Sequence, residues 1–130
     1  MRVLVDTSVW VRFLEGTEPW ASELDRLLAE EGVLGHDFVH GELLVGDVGG
    51  RKKLLSSYSL LPRCPSIPHA DVVGFVSHRR VHGRGIGWID AHLIASAIVG
   101  GALLWTADGA LSKLARSLDV AHTFDHPTPS

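Results

Sequence analysis

Residues 1–10 read MRVLVDTSVW. Three apolar residues, Val3-Leu4-Val5, run straight into Asp6, and Thr7 and Ser8 follow. Val3 to Val5 predict a short strand, apolar on both faces as buried parallel strands are. A charge at the end of such a strand costs free energy unless something compensates it. Two readings are open. Asp6 caps the helix that begins near Val9. Alternatively, it stands at the carboxyl edge of an open α/β sheet, where such folds place their ligands.

The rest of the chain repeats the pattern of short apolar strand and helix. Ser8 to Leu14 and Trp20 to Glu30 predict helices, the second with Leu24, Leu27 and Leu28 at helical spacing. Val33-Leu34-Gly35 predicts a very short strand. Helices are predicted over Asp37 to Val45, Arg51 to Leu61, His69 to His82, Trp88 to Val99 and Asp108 to Leu118. Ala102 to Trp105 predict a strand, Pro62 to Pro68 a loop or edge strand, and Val120 to Phe124 a final strand. Strands alternating with helices predict an α/β fold, a mainly parallel, short-stranded sheet flanked by helices.

At 130 residues the chain fits one domain, here residues 1–125, with a polar, proline-bearing tail over 126–130. A hydrophobic share of 45% and a charged share of 21% are those of an ordinary globule. No apolar run is long enough to span a membrane, and no signal peptide is expected. The single cysteine, Cys64, cannot form an internal disulfide, which fits a reducing cytoplasm. The formal net charge of −3 argues against bare contact with nucleic-acid phosphates.

Four acids interrupt apolar segments: Asp6, Glu42 in FVHGELLVG, Asp90 in GWIDAHLIASA and Asp108 in LLWTAD. Taken singly, Asp6, Asp90 and Asp108 read as helix caps or first-turn charges. Glu42 falls within its helix and resists that account. Asp6 and Asp108 both follow strands, so a parallel sheet puts both at its carboxyl edge. Carboxylates gathered there repel and raise one another's pKa. A divalent cation resolves the repulsion, and all-oxygen ligation selects Mg²⁺ or Mn²⁺.

VDTSVW, GELLVG, DAHLIASA and LLWTADGALSKLA, in that order, resemble the four acidic motifs of the PIN domain family, and within it the VapC toxins of toxin–antitoxin pairs. The resemblance covers residues 2 to about 122. It implies a PIN-like three-layer sandwich and a metal-dependent endoribonuclease that leaves a 5′-phosphate and a 3′-hydroxyl. It implies that Asp6, Glu42, Asp90 and Asp108 hold one or two Mg²⁺ or Mn²⁺ ions, supported by Thr7, Ser8 and Thr106. It further implies an RNA substrate, a homodimer, and inhibition by a small VapB-type antitoxin. Two such ions would bring the formal charge from −3 to about +1 (−3 + 4), removing most of the objection to RNA binding. Gly109-Ala110-Leu111 departs from the bulkier residues the family often has after the fourth acid, a matter of packing.

Other constellations carry less. His36 and His40 are one turn apart, but no second pair of matching spacing completes a zinc site, so they read as surface or cap histidines. His40-Gly41-Glu42 lacks the P-C-x-x-C of zinc deaminases. Eight histidines permit a metal-free ribonuclease, though no spacing selects an acid–base pair. Gly83 to Gly87 follow no strand and read as a turn. Arg79, Arg80 and Arg84 precede the Asp90 motif and are candidate phosphate contacts, against a plain solvated helix face. Arg51, Lys52 and Lys53 read as a polar helix start. Trp10, Phe13, Leu14 and Trp20 are core residues by default, or line a groove for an antitoxin helix. The alternative function is a non-catalytic PIN-like module that binds RNA or protein. The complete acid set argues against it.

Overall fold

The computed structural model describes residues 2–47 and 49–124. The order is β1 (Val3–Val5), α1 (Thr7–Leu14), α2 (Trp20–Ala29), β2 (Val33–Leu34), α3 (Asp37–Val45), α4 (Arg51–Tyr58), α5 (His69–His78), α6 (Trp88–Val99), β3 (Leu103–Trp105) and α7 (Gly109–Ser117). The strands form one parallel sheet in the order β2-β1-β3, with Val3 beside Val33 and Leu103, and Val5 beside Trp105. Helices cover the sheet in a three-layer α/β sandwich. β1 is central and entirely buried, so its apolar run is explained by neighbours on both faces.

The core gathers β1, the apolar face of α2 through Leu24 and Leu27, Leu93, Ile94 and Ala97 of α6, and Leu111 and Leu114 of α7. Trp10 is also inside it, 0% exposed, with edge-on ring contacts to Phe13 and Tyr58. This corrects its candidacy as a groove residue: the ring has no surface for a partner to reach. Among the described residues, no helix is long and apolar enough to cross a membrane.

Two predicted helices end early. The one expected over His69 to His82 stops at His78, because Arg80 turns left-handed (φ 53°) and the Val81 N–H folds back onto the Val76 carbonyl at 3.0 Å. The one expected over Arg51 to Leu61 stops at Tyr58. The expected strand over Val120 to Phe124 contracts to a single parallel bridge, Leu104 to Ala121. A similar bridge at Gly35 and Arg63 is all that forms of an edge strand near Pro62. The expected tail over 126–130 lies outside the described residues.

Candidate active site

β1 and β3 run parallel, so the residues just beyond them share one edge of the sheet. Asp6 follows β1, and its N–H donates to the Trp105 carbonyl at the end of β3 (2.9 Å). It occupies the N-cap position of α1, yet its side chain makes no capping hydrogen bond. Instead Asp6 Oδ2 accepts from Ser8 Oγ (2.7 Å) and from Thr106 Oγ1 (2.8 Å). The two hydroxyl oxygens in turn accept the backbone N–H groups of Ala107 and Asp108, each at 3.0 Å. Each hydroxyl has one proton to give, so the amides behind them leave both protons directed at Asp6. Their own 3.3 Å contact is then a close approach rather than a third strong bond. Asp6 is only 7% exposed, and the relay is what lets a carboxylate persist at the end of a buried strand.

Glu42 arrives from α3, which packs on α1, and its Oε1 accepts from Thr7 Oγ1 at 2.7 Å. α3 itself is anchored by His36. That ring is buried, and its Nδ1 accepts the Phe38 N–H at 3.0 Å as the helix N-cap. Nδ1 being an acceptor, the proton sits on Nε2, which donates to Ser96 Oγ at 2.9 Å. Burial holds the His36 pKa below the usual imidazole range, so the ring is neutral. His40 stacks on Tyr58 with ring centroids 5.6 Å apart. These two histidines therefore position a helix and do not form a zinc pair.

Asp90 is the third residue of α6, and its Oδ2 accepts the Gly87 N–H at 3.2 Å. Asp108 caps α7, its Oδ2 accepting the Leu111 N–H at 3.0 Å. The capping reading thus holds for the geometry of both. It does not exhaust Asp90. Burial raises its pKa, the Gly87 N–H opposes, and the charges of Asp6, Asp108 and Glu42 raise it further. A helix N-terminus favours a carboxylate by about 0.3–1 kcal/mol. At Asp90 burial and like charge together outweigh the Gly87 hydrogen bond, since the net shift is upward. Asp6, Asp108 and Glu42 are therefore all within electrostatic reach of Asp90.

The four share a feature that spacing alone does not reveal. Each has one oxygen held: Asp6 Oδ2, Glu42 Oε1, Asp90 Oδ2 and Asp108 Oδ2. Among the described residues, no hydrogen bond reaches the other oxygen of any of them. The donor set is all carboxylate oxygen, chemically suited to a hard divalent cation. As placed, no three His, Cys, Asp or Glu side chains among the described residues form a group that could hold an ion.

The structure splits the arginine candidates. Arg84 lies in the turn 83–87, whose Gly85 packs towards Ala110 of α7 (a Cβ on Gly85 would sit 3.5 Å from the Ala110 Cβ). That keeps the turn on the acid side. Arg79 instead lines a cavity with Gly101, Ala102 and Leu103, at the amino end of β3 and away from the acids. Arg80 occupies the left-handed position after α5. Phe13, Leu14 and Trp20 remain partly exposed. Sequence reasoning missed Glu23 and His122, joined across 99 positions, and their distance in the chain left no local signal.

A parallel sheet with four acids at its carboxyl edge defines an α/β protein with a candidate phosphoryl-chemistry site. Residues 3–117 match the PIN domain family. The chain is 38% identical over 120 residues to Ribonuclease VapC32 of Mycobacterium tuberculosis, in strains CDC 1551 / Oshkosh and ATCC 25618 / H37Rv, covering 92% of this chain and 94% of the relative. The crystal structure of PAE2754 from Pyrobaculum aerophilum shares the fold, with a TM-score of 0.57, 19% identity, and coverage of 87% of this chain and 84% of that one. The chain belongs to the PIN domain family and is homologous to VapC-type ribonucleases.

Proposed function

We propose that this chain is an Mg²⁺- or Mn²⁺-dependent endoribonuclease, the toxin of a toxin–antitoxin pair. The observation that carries this reading is the set of four acids, three of which press their charge on the fourth, Asp90, each with one oxygen held and, among the described residues, one unengaged. The 38% identity to a protein named a ribonuclease supports the substrate class. Asp6, Glu42, Asp90 and Asp108 would hold one or two ions. When bound, such an ion lowers the pKa of water and offsets charge developing on the phosphate. The chain's own contribution is orientation. Ser8 and Thr106 fix Asp6, Thr7 fixes Glu42, and the starts of α6 and α7 fix Asp90 and Asp108. The test is incubation with a total RNA pool and Mg²⁺, followed by mapping of new 5′ ends. Cleavage should stop with a chelator and leave 5′-phosphates. Cleavage that survives exhaustive chelation with cyclic phosphate ends would replace this reading with a histidine mechanism.

Two partners follow as proposals. A second copy of the chain suits the aromatic patch of Phe38 and Trp88, which are 39% and 43% exposed and contact His92 between them. Equilibrium sedimentation reads that directly. A VapB-type antitoxin would lie along Phe13 and Leu14 and send an arginine towards the acids, since a guanidinium bridges carboxylates in a bidentate fork. Phe13→Ala should weaken antitoxin binding and spare RNA cleavage; unchanged binding would move the groove elsewhere.

A further inference from the structure

We propose that the cavity of about 430 Å³ beside Thr106 is the subsite for the nucleotide next to the cleaved phosphate of a single-stranded RNA, with Trp20 as stacking ring and Arg116 as phosphate contact. This rests on the ribonuclease reading above and adds where the strand runs. The cavity shares a wall with the acids, because Thr106 both lines it and donates to Asp6. From there Gly109, Ser112 and Arg116 of α7 line it in turn. Their spacing of three and four places them on one helix face. At 1.5 Å per residue, Arg116 stands about 10 Å along the helix from Gly109. The track therefore starts at four carboxylates and ends at a cation.

The lining suits a nucleotide. Trp20 is partly exposed, and the Arg12 guanidinium lies over one face of its ring, 5.0 Å from the centroid, so a base would stack on the opposite face. Among the described residues, Arg116 has no carboxylate at ion-pairing distance. His122 is a fixed wall, since its Nε2 bonds Glu23 Oε2 at 2.8 Å. An aromatic platform with a cation further along the track is the combination that single-stranded nucleic-acid sites use. The volume falls within the roughly 300–1,000 Å³ of small-ligand clefts. A protein helix, about 10–12 Å across with its side chains, would have to lie over the mouth.

The probe is a fluorescein-labelled random hexaribonucleotide, titrated by anisotropy against the full chain in Ca²⁺, a hard oxygen-ligated cation that takes the place of Mg²⁺. Cleavage-site mapping of an RNA pool in Mg²⁺ runs beside it. Trp20→Leu should weaken hexamer binding roughly 5- to 150-fold, the range of base–aromatic stacking, and Trp20→Phe should retain most of the affinity. Arg116→Ala should reduce the slope of log affinity against log salt by roughly 0.7, one phosphate contact of a single strand, and Arg116→Lys should restore it. Trp20→Leu should also change the nucleotide preference beside the cut, whereas Arg116→Ala should weaken binding about equally for all sequences. If wild type binds the hexamer through Trp20 and Arg116 but cuts no RNA, the two residues form a nucleotide site, but the ribonuclease reading falls and the site's place beside a cleaved phosphate falls with it. If wild type cuts RNA and both variants bind and cut as it does, the subsite is overturned and the ribonuclease reading stands. Failure of wild type to bind the hexamer overturns the subsite, as does a loss confined to antitoxin binding.

Discussion

Glu23 and Asp90 are both withdrawn from solvent, and their chemistry is opposite. Both oxygens of Glu23 are used: Arg26 Nε donates to Oε1 (2.7 Å), while Arg26 Nη2 (2.9 Å) and His122 Nε2 (2.8 Å) meet Oε2. The Arg26 hydrogen bonds lead in holding its pKa below the usual carboxylate range, with burial opposing and His122 adding. Asp90 has one backbone donor and three acidic neighbours, and its pKa moves up. A buried acid that has recruited its partners ties helix α2 to the segment after α7. A half-buried acid left among other acids stores an unfavourable charge that a ligand can relieve, a pattern that marks candidate functional sites.

The contrast breaks most severely if cleavage survives the loss of an acid. Asp6→Asn keeps an oxygen for Ser8 and Thr106 but loses a charge, so RNA cleavage should fall on the order of 10²–10³-fold or more, the scale of removing one electrostatic stabiliser. Far-ultraviolet dichroism should report an unchanged fold. Activity near wild type would return Asp6 to the status of a strand terminator.

Glu23→Gln sharpens the other half. It should cost about 2 kcal/mol of stability, the scale of hydrogen bonds to a charged group. The sign of its pH dependence follows from the lowered pKa. Stability from Glu23 is fully present above the ordinary carboxylate pKa and is lost as pH falls through the folded value. Melting curves of wild type and Glu23→Gln should therefore differ at neutral pH and converge in acid. A difference that persists in acid would show that packing, and not charge, carries the interaction.

Much of this was legible in the sequence, for reasons particular to each element. Val3-Leu4-Val5 and Leu103-Leu104-Trp105 are short, apolar and followed by acids, so strand and edge are read together. α3 and α6 fall on their predicted bounds because Gly46 and the Gly100-Gly101 pair mark their ends. α5 overran in the reading because its stop is Arg80 in a left-handed conformation, and a non-glycine there gives no signal. Glu31 and Asp119 end α2 and α7 in the same conformation. The four acids were visible as interruptions of apolar runs. The relay that joins Asp6 and Ser8 to Thr106, and so β1 to β3, depends on residues about 100 positions apart. Arg79 looked adjacent to the Asp90 motif, but the turn after α5 carries it to the opposite end of β3.

The direct test of the central claim is the effect of Mg²⁺ on the relative stability of wild type and Asp90→Asn, read by thermal melting at neutral pH. The raised Asp90 pKa means that its charge destabilises the metal-free fold increasingly as pH rises through the folded value. Asn keeps an acceptor for the Gly87 N–H without that charge. In chelator Asp90→Asn should melt above wild type. Saturating Mg²⁺ should then stabilise wild type, by about 2.7 kcal/mol at a hundredfold excess over its dissociation constant, and stabilise the variant much less, so that the gap closes or reverses. Equal responses to Mg²⁺, with Asp90→Asn no more stable in chelator, would contradict the account and leave Asp90 a helix-start charge.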